Sequence, residues 1–355
     1  GIVSALFVVT YLPFLWAATD LMAEALVTAL LAWWLLAWLQ ARERAGRGRE
    51  VQSSALPGHL RAAFSWVFLG ALLGMITLVK PVFILLPVAL SLIEVLSANA
   101  VRAEGESALK TLGSVVGRRL VPVAMGVGVI VGPWAARSSV AADSFVPLGS
   151  SGGWTLWVSM EQYAGRSAYP FFREDRQYVY GRWGEANLEA ERALSSPGAR
   201  APQAVIEAAA DDLLYEAASQ SFEEVGVLGV LEGLPERHLF LWRAADLGDG
   251  VGPRWLHRVA QAQWVLLLLL GGVGLWAARG HLLRLWPLWI AAAYVGVLHS
   301  IFHAEARYTL PARAPLLIIA AIGVHRLLEI AGRGGGASVR ERGEGGVPPG
   351  IRHPS

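Results

Sequence analysis

AQAQWVLLLLLGGVGLWAA, residues 260–278, decides the class of this protein. No charge interrupts the stretch. In a helix rising 1.5 Å per residue it reaches about 28 Å, close to the roughly 30 Å of hydrocarbon in a bilayer. Working outward, further apolar stretches lie at 1–16, 25–41, 64–80, 82–98, 116–136, 285–301 and 310–327. Together they predict an all-α, polytopic bundle of about eight membrane spans. The spans at 82–98 and 285–301 are short or carry a polar residue, Glu94 and His299 respectively.

Composition agrees with this class. Hydrophobic residues make up 54% of the 355 and charged residues 16%, where soluble domains carry about 25%. Trp favours membrane interfaces, and Gly and Pro are tolerated in membrane helices because neighbours satisfy the freed backbone groups. The absence of cysteine excludes disulfides, thiolate nucleophiles and Cys-ligated metals. No P-loop, GxGxxG, HExxH or GxSxG occurs, so ATP-driven transport and serine hydrolysis have no support. The basic residues lack the clustering with aromatics that nucleic acid requires. Gly1 opens directly into an apolar run without a charged leader or a small-residue cleavage site. It therefore reads as an internal span of a longer protein and not as a signal peptide.

Lys and Arg set the expected orientation. Arg42, Arg44, Arg47, Arg49 and Arg61 occupy one connection, and Arg102, Lys110, Arg118 and Arg119 a second. Arg279 and Arg284 occupy a third, and the Gly/Arg-rich stretch after residue 328 ends the chain. These alternate with connections holding little more than Lys80, Arg307 and Arg313. The alternation puts both ends of the chain on the cytoplasmic side of a plasma (inner) membrane. The composition of 329–355 predicts a disordered tail.

Residues 137–259 break the pattern. They form a long hydrophilic insertion with 17 acidic against 11 basic residues, net −6, while the rest of the chain is +8. This divides the chain into 1–136 with five spans, 137–259 as an extracytoplasmic, mostly helical domain, 260–328 with three spans, and the tail. Helix is expected from Glu185 to Ala218, interrupted at Pro197 and Gly198. The amphipathic, aromatic stretch 224–245 suits a surface lying along the membrane.

Ionisable groups at membrane depth are costly, which makes them functional candidates. Asp20 and Glu24 stand four apart on one helical face. Acids in a first helical turn also complement the helix dipole, while a pair on one face suits a divalent cation or sugar hydroxyls. These alternatives stay open. Lys80, before Pro81, marks a break between two helices; its ammonium either snorkels to the interface or holds a phosphate. Arg137, beside Trp134, is an interfacial anchor or a ligand contact. The densest group is His299, His303, Glu305, Arg307 and Tyr308, too many ionisable side chains for anchoring alone. Arg307 is suited to phosphate, and His303 and Glu305 to acid–base work or ligation of a cation.

Four segments, in order, resemble the polyprenyl-phosphate-dependent glycosyltransferases of GT-C fold, the dolichyl-phosphate-mannose–protein mannosyltransferase-like group. DLMAEALVT (20–28) is similar to their "TEPLFTF" span start, and LVKP (78–81) to "LTRP" or "LTKP". PWAARSSVAADSFVPLGSSGGWTLWV (133–158) is similar to "PWxIRNxxxFGxFVPxSTNGGxNLW", and HAEARYTLPARAP (303–315) to "HAEPRYRLPxxP". The resemblance implies inverting transfer of a sugar from a polyprenyl-phosphate donor to an acceptor at the outer membrane face. It implies Asp20 and Glu24 as candidate catalytic carboxylates, and Lys80, Arg137, His303, Glu305, Arg307 and Tyr308 as substrate-binding residues. Lys80 and Arg307 take the phosphate. No cofactor is implied beyond an optional divalent cation; the partners are the lipid-linked sugar, an acceptor and membrane lipid. In the family the base lies in the first outer loop, which this chain is expected to lack; SSVAAD in place of the family's NxxxFG is a second departure. A non-catalytic relative and a transporter or lipid flippase are the competing expectations.

Overall fold

A computed structural model describes residues 23–47, 58–101, 108–149, 151–166, 173–196, 199–242, 254–302 and 306–340. The described residues are helical, without a β-strand. The helices are α1 (Ala23–Arg47), α2 (Gly58–Val79), α3 (Leu86–Val101), α4 (Ala108–Val115), α5 (Val121–Ala142), α6 (Gly152–Tyr163), α7 (Arg173–Leu194), α8 (Gln203–Leu241), α9 (Arg254–Ala277), α10 (Leu282–Ile301) and α11 (Leu310–Arg340).

Four of them are long and apolar enough to cross a membrane, over Ala23–Glu43, Leu112–Ala142, Trp255–Ala277 and Leu310–Ala331. The stretches expected as spans at 64–80, 82–98 and 285–301 are helical but shorter in their apolar part, at Ala63–Val79, Pro81–Leu96 and Trp286–Ile301. Pro81 explains the first break. It lacks an amide hydrogen and pushes Lys80 out of helix geometry, to φ −141° and ψ 97°. The stretch 1–16 lies outside the described residues.

The outside of the bundle is apolar: Trp33, Phe68, Val129 and Leu269 are each about two-thirds exposed or more. Such a surface is unfavourable in water and matched to lipid. Inside, Trp34, Trp38 and Trp66 interlock with ring centroids 5.0 Å apart, and the Trp34 indole donates to the Leu69 carbonyl at 2.9 Å. Glu94 ties this core together by pairing with Arg42 of α1 (3.9 Å) and with Arg119 in the π-helical turn Val116–Leu120 that precedes α5.

Two seams are made of glycine. A Cβ on Gly70 would strike the Val123 backbone, and one on Gly126 the backbone of Val67 and Gly70, so α2 and α5 touch backbone to backbone. Gly274 and Gly323 do the same for α9 and α11. Membrane helices gain little by burying apolar surface, and close contact of small residues supplies the attraction instead.

The insertion packs α6, α7 and α8 around Trp157, Ala186, Ile206 and Leu214. The interruption expected at Pro197 and Gly198 falls between Leu194 and Gln203. A second break comes at Gly226, whose φ of 66° interrupts α8. Beyond it Leu228, Leu231 and Leu239 stay exposed along one helical face, while Arg237 and Leu241 turn inward. Helix α11 continues to Arg340, into the stretch whose composition predicts disorder. Adding residues to an existing helix is far easier than nucleating one. Residues 341–355 lie outside the described part.

Candidate functional site

Lys80 is the centre of the charged group. It sits in extended backbone between α2 and the 3-10 turn Pro81–Leu85, its amide still bonded to the Ile76 carbonyl at 2.8 Å. Its ammonium lies 2.9 Å from a carboxylate oxygen of Glu24, in the first turn of α1. The same nitrogen stands 3.8 Å from the centre of the Tyr308 ring. His299, near the end of α10, packs against the same ring, with the two centroids 4.8 Å apart. Glu24 is 4% exposed and His299 9%, while Lys80 and Tyr308 are half-buried beside them. At low effective dielectric a pair at this distance is worth much more than at a surface, and separating it is correspondingly costly.

The local sequence explains how each member arrives. Pro81 ends α2 so that Lys80 can leave the helix axis. The Tyr294 hydroxyl donates to the Val82 carbonyl and fixes this turn against α10. Tyr308 belongs to the 3-10 turn Ala306–Thr309 that leads into α11. One turn further on, Arg313 is 1% exposed, donates from Nε to the Thr309 hydroxyl at 3.0 Å, and lies 4.6 Å over the Trp264 ring. Its guanidinium puts a buried cation on the helix that Tyr308 leads into.

Sequence candidates therefore divide into three groups. Glu24, Lys80, His299 and Tyr308 come together. Arg137 is exposed at the insertion end of α5 with its guanidinium 5.7 Å from the Trp134 ring, and lines a cavity that none of those four residues lines. Asp20, His303 and Glu305 lie outside the described residues, as does the Arg307 side chain. Among the described residues no group of three His, Asp or Glu is arranged to hold a metal ion.

Three sites of the insertion escaped sequence reasoning. Arg237, buried in α8, donates to the carbonyls of Ser300 (2.8 Å), Ser159 (3.1 Å) and Phe302 (3.0 Å), and stacks 4.0 Å over Tyr163. His238 meets the Ser300 hydroxyl at 3.0 Å. The insertion is thus fastened to the end of α10, one residue after His299.

Glu161 is the second. Arg166 grips it with two nitrogens (3.0 and 2.8 Å), and the hydroxyls of Ser221 and Tyr178 donate at 2.8 Å each. Burial alone pushes this carboxyl up, but the bonds from Arg166, Ser221 and Tyr178 outweigh it and hold the group below its ordinary value. The third is Asp211, which accepts from the Trp154 amide at 3.0 Å at the start of α6. Burial leads there, and its pKa is raised although the amides of Gly153, Trp154 and Gly152 oppose the rise. In sequence nothing sets these positions apart from the charges beside them, since Asp211 adjoins Asp212 and Arg237 lies between Glu236 and His238.

Chemically, the Lys80 group offers one ammonium held between a carboxylate and an aromatic face. No family model, no curated protein and no solved structure matches the chain.

Proposed function

We propose that the chain is a membrane glycosyltransferase of the GT-C type, in which Lys80 receives the phosphate of a polyprenyl-phosphate sugar. The observation that carries this reading is the convergence of Glu24, Lys80 and Tyr308, three residues that fall in segments resembling the family's motifs. In this reading about eight spans cross the plasma membrane, both ends of the chain are cytoplasmic, and the α6–α8 insertion lies outside. The exposed face of Leu228, Leu231 and Leu239 then rests along the outer leaflet.

In the transfer an acceptor hydroxyl oxygen attacks the anomeric carbon from the face opposite the phosphate. The bond from that carbon to the phosphate oxygen breaks, its electron pair stays on the leaving lipid phosphate, and the sugar inverts. Charge grows on the phosphate as the bond lengthens. Lys80, joined by Arg307, stabilises the transition state more than the ground state. Glu24 positions the ammonium until the phosphate arrives and then gives up its partner. The hydroxyl proton passes to a carboxylate, which the resemblance puts in the family's first outer loop and not at Glu24. Tyr308 and His299 form the wall against which the cation turns.

Binding of undecaprenyl phosphate to the chain in nanodiscs, read by native mass spectrometry, tests the assignment. Lys80→Ala is expected to weaken it roughly tenfold or more, the loss of one charge-assisted contact. Binding unchanged by Lys80→Ala overturns it. The existing Lys80–Glu24 pair favours a second reading, a non-catalytic relative in which the pair is only a fastening. Lipid-phosphate binding without any sugar transfer supports that version.

A further inference from the structure

The cavity beside Arg137 does not belong to the Lys80 group. It encloses about 260 Å³ between the end of α5 and the start of α8, lined by Trp134, Arg137, Ala141, Leu148, Ala204 and Glu207 among others. Helix α5 uses one face for two purposes. Lower down, Gly126 and Ile130 meet Gly70 and Gly74 of α2, a parallel register with one constant offset. Continuing at helical spacing, the same face presents Trp134, Arg137 and Ala141, but α2 has ended at Val79. The face that packs on a helix below therefore lines open space above. The same register puts Lys80 level with Ala136, next to Arg137.

The wall is built before any ligand arrives. Asp143 turns the chain in left-handed geometry, with φ 50°. The Ser138 hydroxyl donates to the Val146 carbonyl at 2.6 Å, and the Val146 amide donates to the Ser139 hydroxyl at 3.0 Å. The Trp134 indole is held by the Leu148 carbonyl at 3.3 Å, yet the side chain is 44% exposed. Glu207 accepts from the Gln203 amide at 3.0 Å, and Arg137 and Glu207 form no ion pair with each other.

A guanidinium 5.7 Å over the indole ring, a separate carboxylate and that partly exposed indole share one cavity of zero net charge. An anion would meet Glu207, and a cation would meet Arg137. A hydroxyl satisfies both, since it donates to a carboxylate and accepts from a guanidinium. The C–H face of a sugar ring suits the flat apolar indole, whose polar edge is already bonded. The volume lies just under the roughly 300–1,000 Å³ of sites for drug-sized ligands, room for about one ring.

We infer that this cavity binds the sugar-like acceptor, one hydroxyl-bearing ring at a time, at the level where Lys80 holds the donor phosphate. The inference rests on the transferase reading above, and its test does not use transfer.

The chain contains no cysteine, so Ala141→Cys adds one reporter in the cavity. In nanodiscs free of glycoside detergent, its labelling by a membrane-impermeant maleimide is followed with methyl glycosides of common hexoses and pentoses. At least one should slow labelling by roughly threefold, the protection given by ligand at about twice its Kd. Trp134→Leu and Glu207→Gln should each abolish the protection. Ala218→Cys, a fully buried position on α8, should stay unlabelled in both variants and so reports an intact fold. Protection by no glycoside overturns the inference, as does equal protection by inorganic phosphate, which would mark an anion site. If glycosides protect while lipid-phosphate binding ignores Lys80→Ala, the donor assignment falls and the cavity stands. The reverse pattern removes the cavity alone.

Discussion

The Nε of Arg237 donates to the Ser300 carbonyl at 2.8 Å, and through this contact a hydrophilic insertion holds the last turn of an apolar helix. Carbonyls at a helix end have no partner within the helix and attract a cation. Arg237 reaches the Phe302 carbonyl as well, and Ser159 of α6 with a further nitrogen. Arg237→Ala should cost about 3 kcal/mol, the scale of charged hydrogen bonds lost from buried partners. Arg237→Lys should recover only part, because an ammonium lacks the guanidinium's fork. Thermal unfolding in nanodiscs checks the cost. Hydrogen exchange should quicken at residues 298–302 while α1 stays protected; uniform quickening would show that the contact is not local.

Lys80 and Glu24 allow a double-mutant cycle. Lys80→Met leaves a carboxylate that is 4% exposed without its ammonium, and should destabilise the fold by about 3–5 kcal/mol. Glu24→Gln added to it should restore most of that loss, while lipid-phosphate binding stays weak. Additive losses in stability would show that the two side chains do not depend on each other.

Glu161 gives the insertion a dependence on acid. Its folded pKa lies below its ordinary value of 4.5, so its contribution is fully present above that pH and fades as pH falls through the lower folded value. Asp211 acts in the opposite sense. Its folded pKa is raised, so its contribution is greatest when protonated and shrinks as pH rises. Glu161→Gln should lower stability at pH 7 and flatten the loss between about pH 5 and pH 3, measured by denaturant unfolding at fixed pH. Asp211→Asn should steepen that acid loss, because the opposing group is gone. An unchanged slope in either variant refutes its assignment.

Gly126 should be intolerant of any side chain. Its would-be Cβ falls on the backbone of α2, and neither helix can yield without separating from the other. Gly126→Leu is expected to prevent α2 and α5 from seating, which a lower yield of folded, monodisperse protein will show. Gly128→Leu, where no atom lies near, serves as the control and should be tolerated.

The membrane character was legible because it depends on consecutive residues. The apolar stretches at 25–41, 116–136, 260–278 and 310–327 correspond to the four longest apolar helices, and the Lys80–Pro81 break is where the dipeptide demands it. Span number is less legible, since a 16-residue apolar helix reaches only about 24 Å. Within the site Glu24, Lys80 and Tyr308 were visible singly, but not as partners. Arg237 was invisible altogether, because Ser300 is 63 residues away and Ser159 is 78. A charge inside an apolar stretch says that a partner exists, not where it stands. Arg313 carried that signal, and Trp264 answers it across nearly fifty positions of chain.

The two glycine seams have a mechanical consequence. Backbones in contact cannot approach further, and separating them loses the whole attraction, so α2 moves with α5 and α9 moves with α11. Lys80 rides on the first pair and Tyr308, through α11, on the second. Their 3.8 Å contact bridges two stiff struts, like a gauge set across an expansion joint. A sliding of one strut against the other by a fraction of a helical turn would lift the ring from the cation while both helix pairs stayed intact.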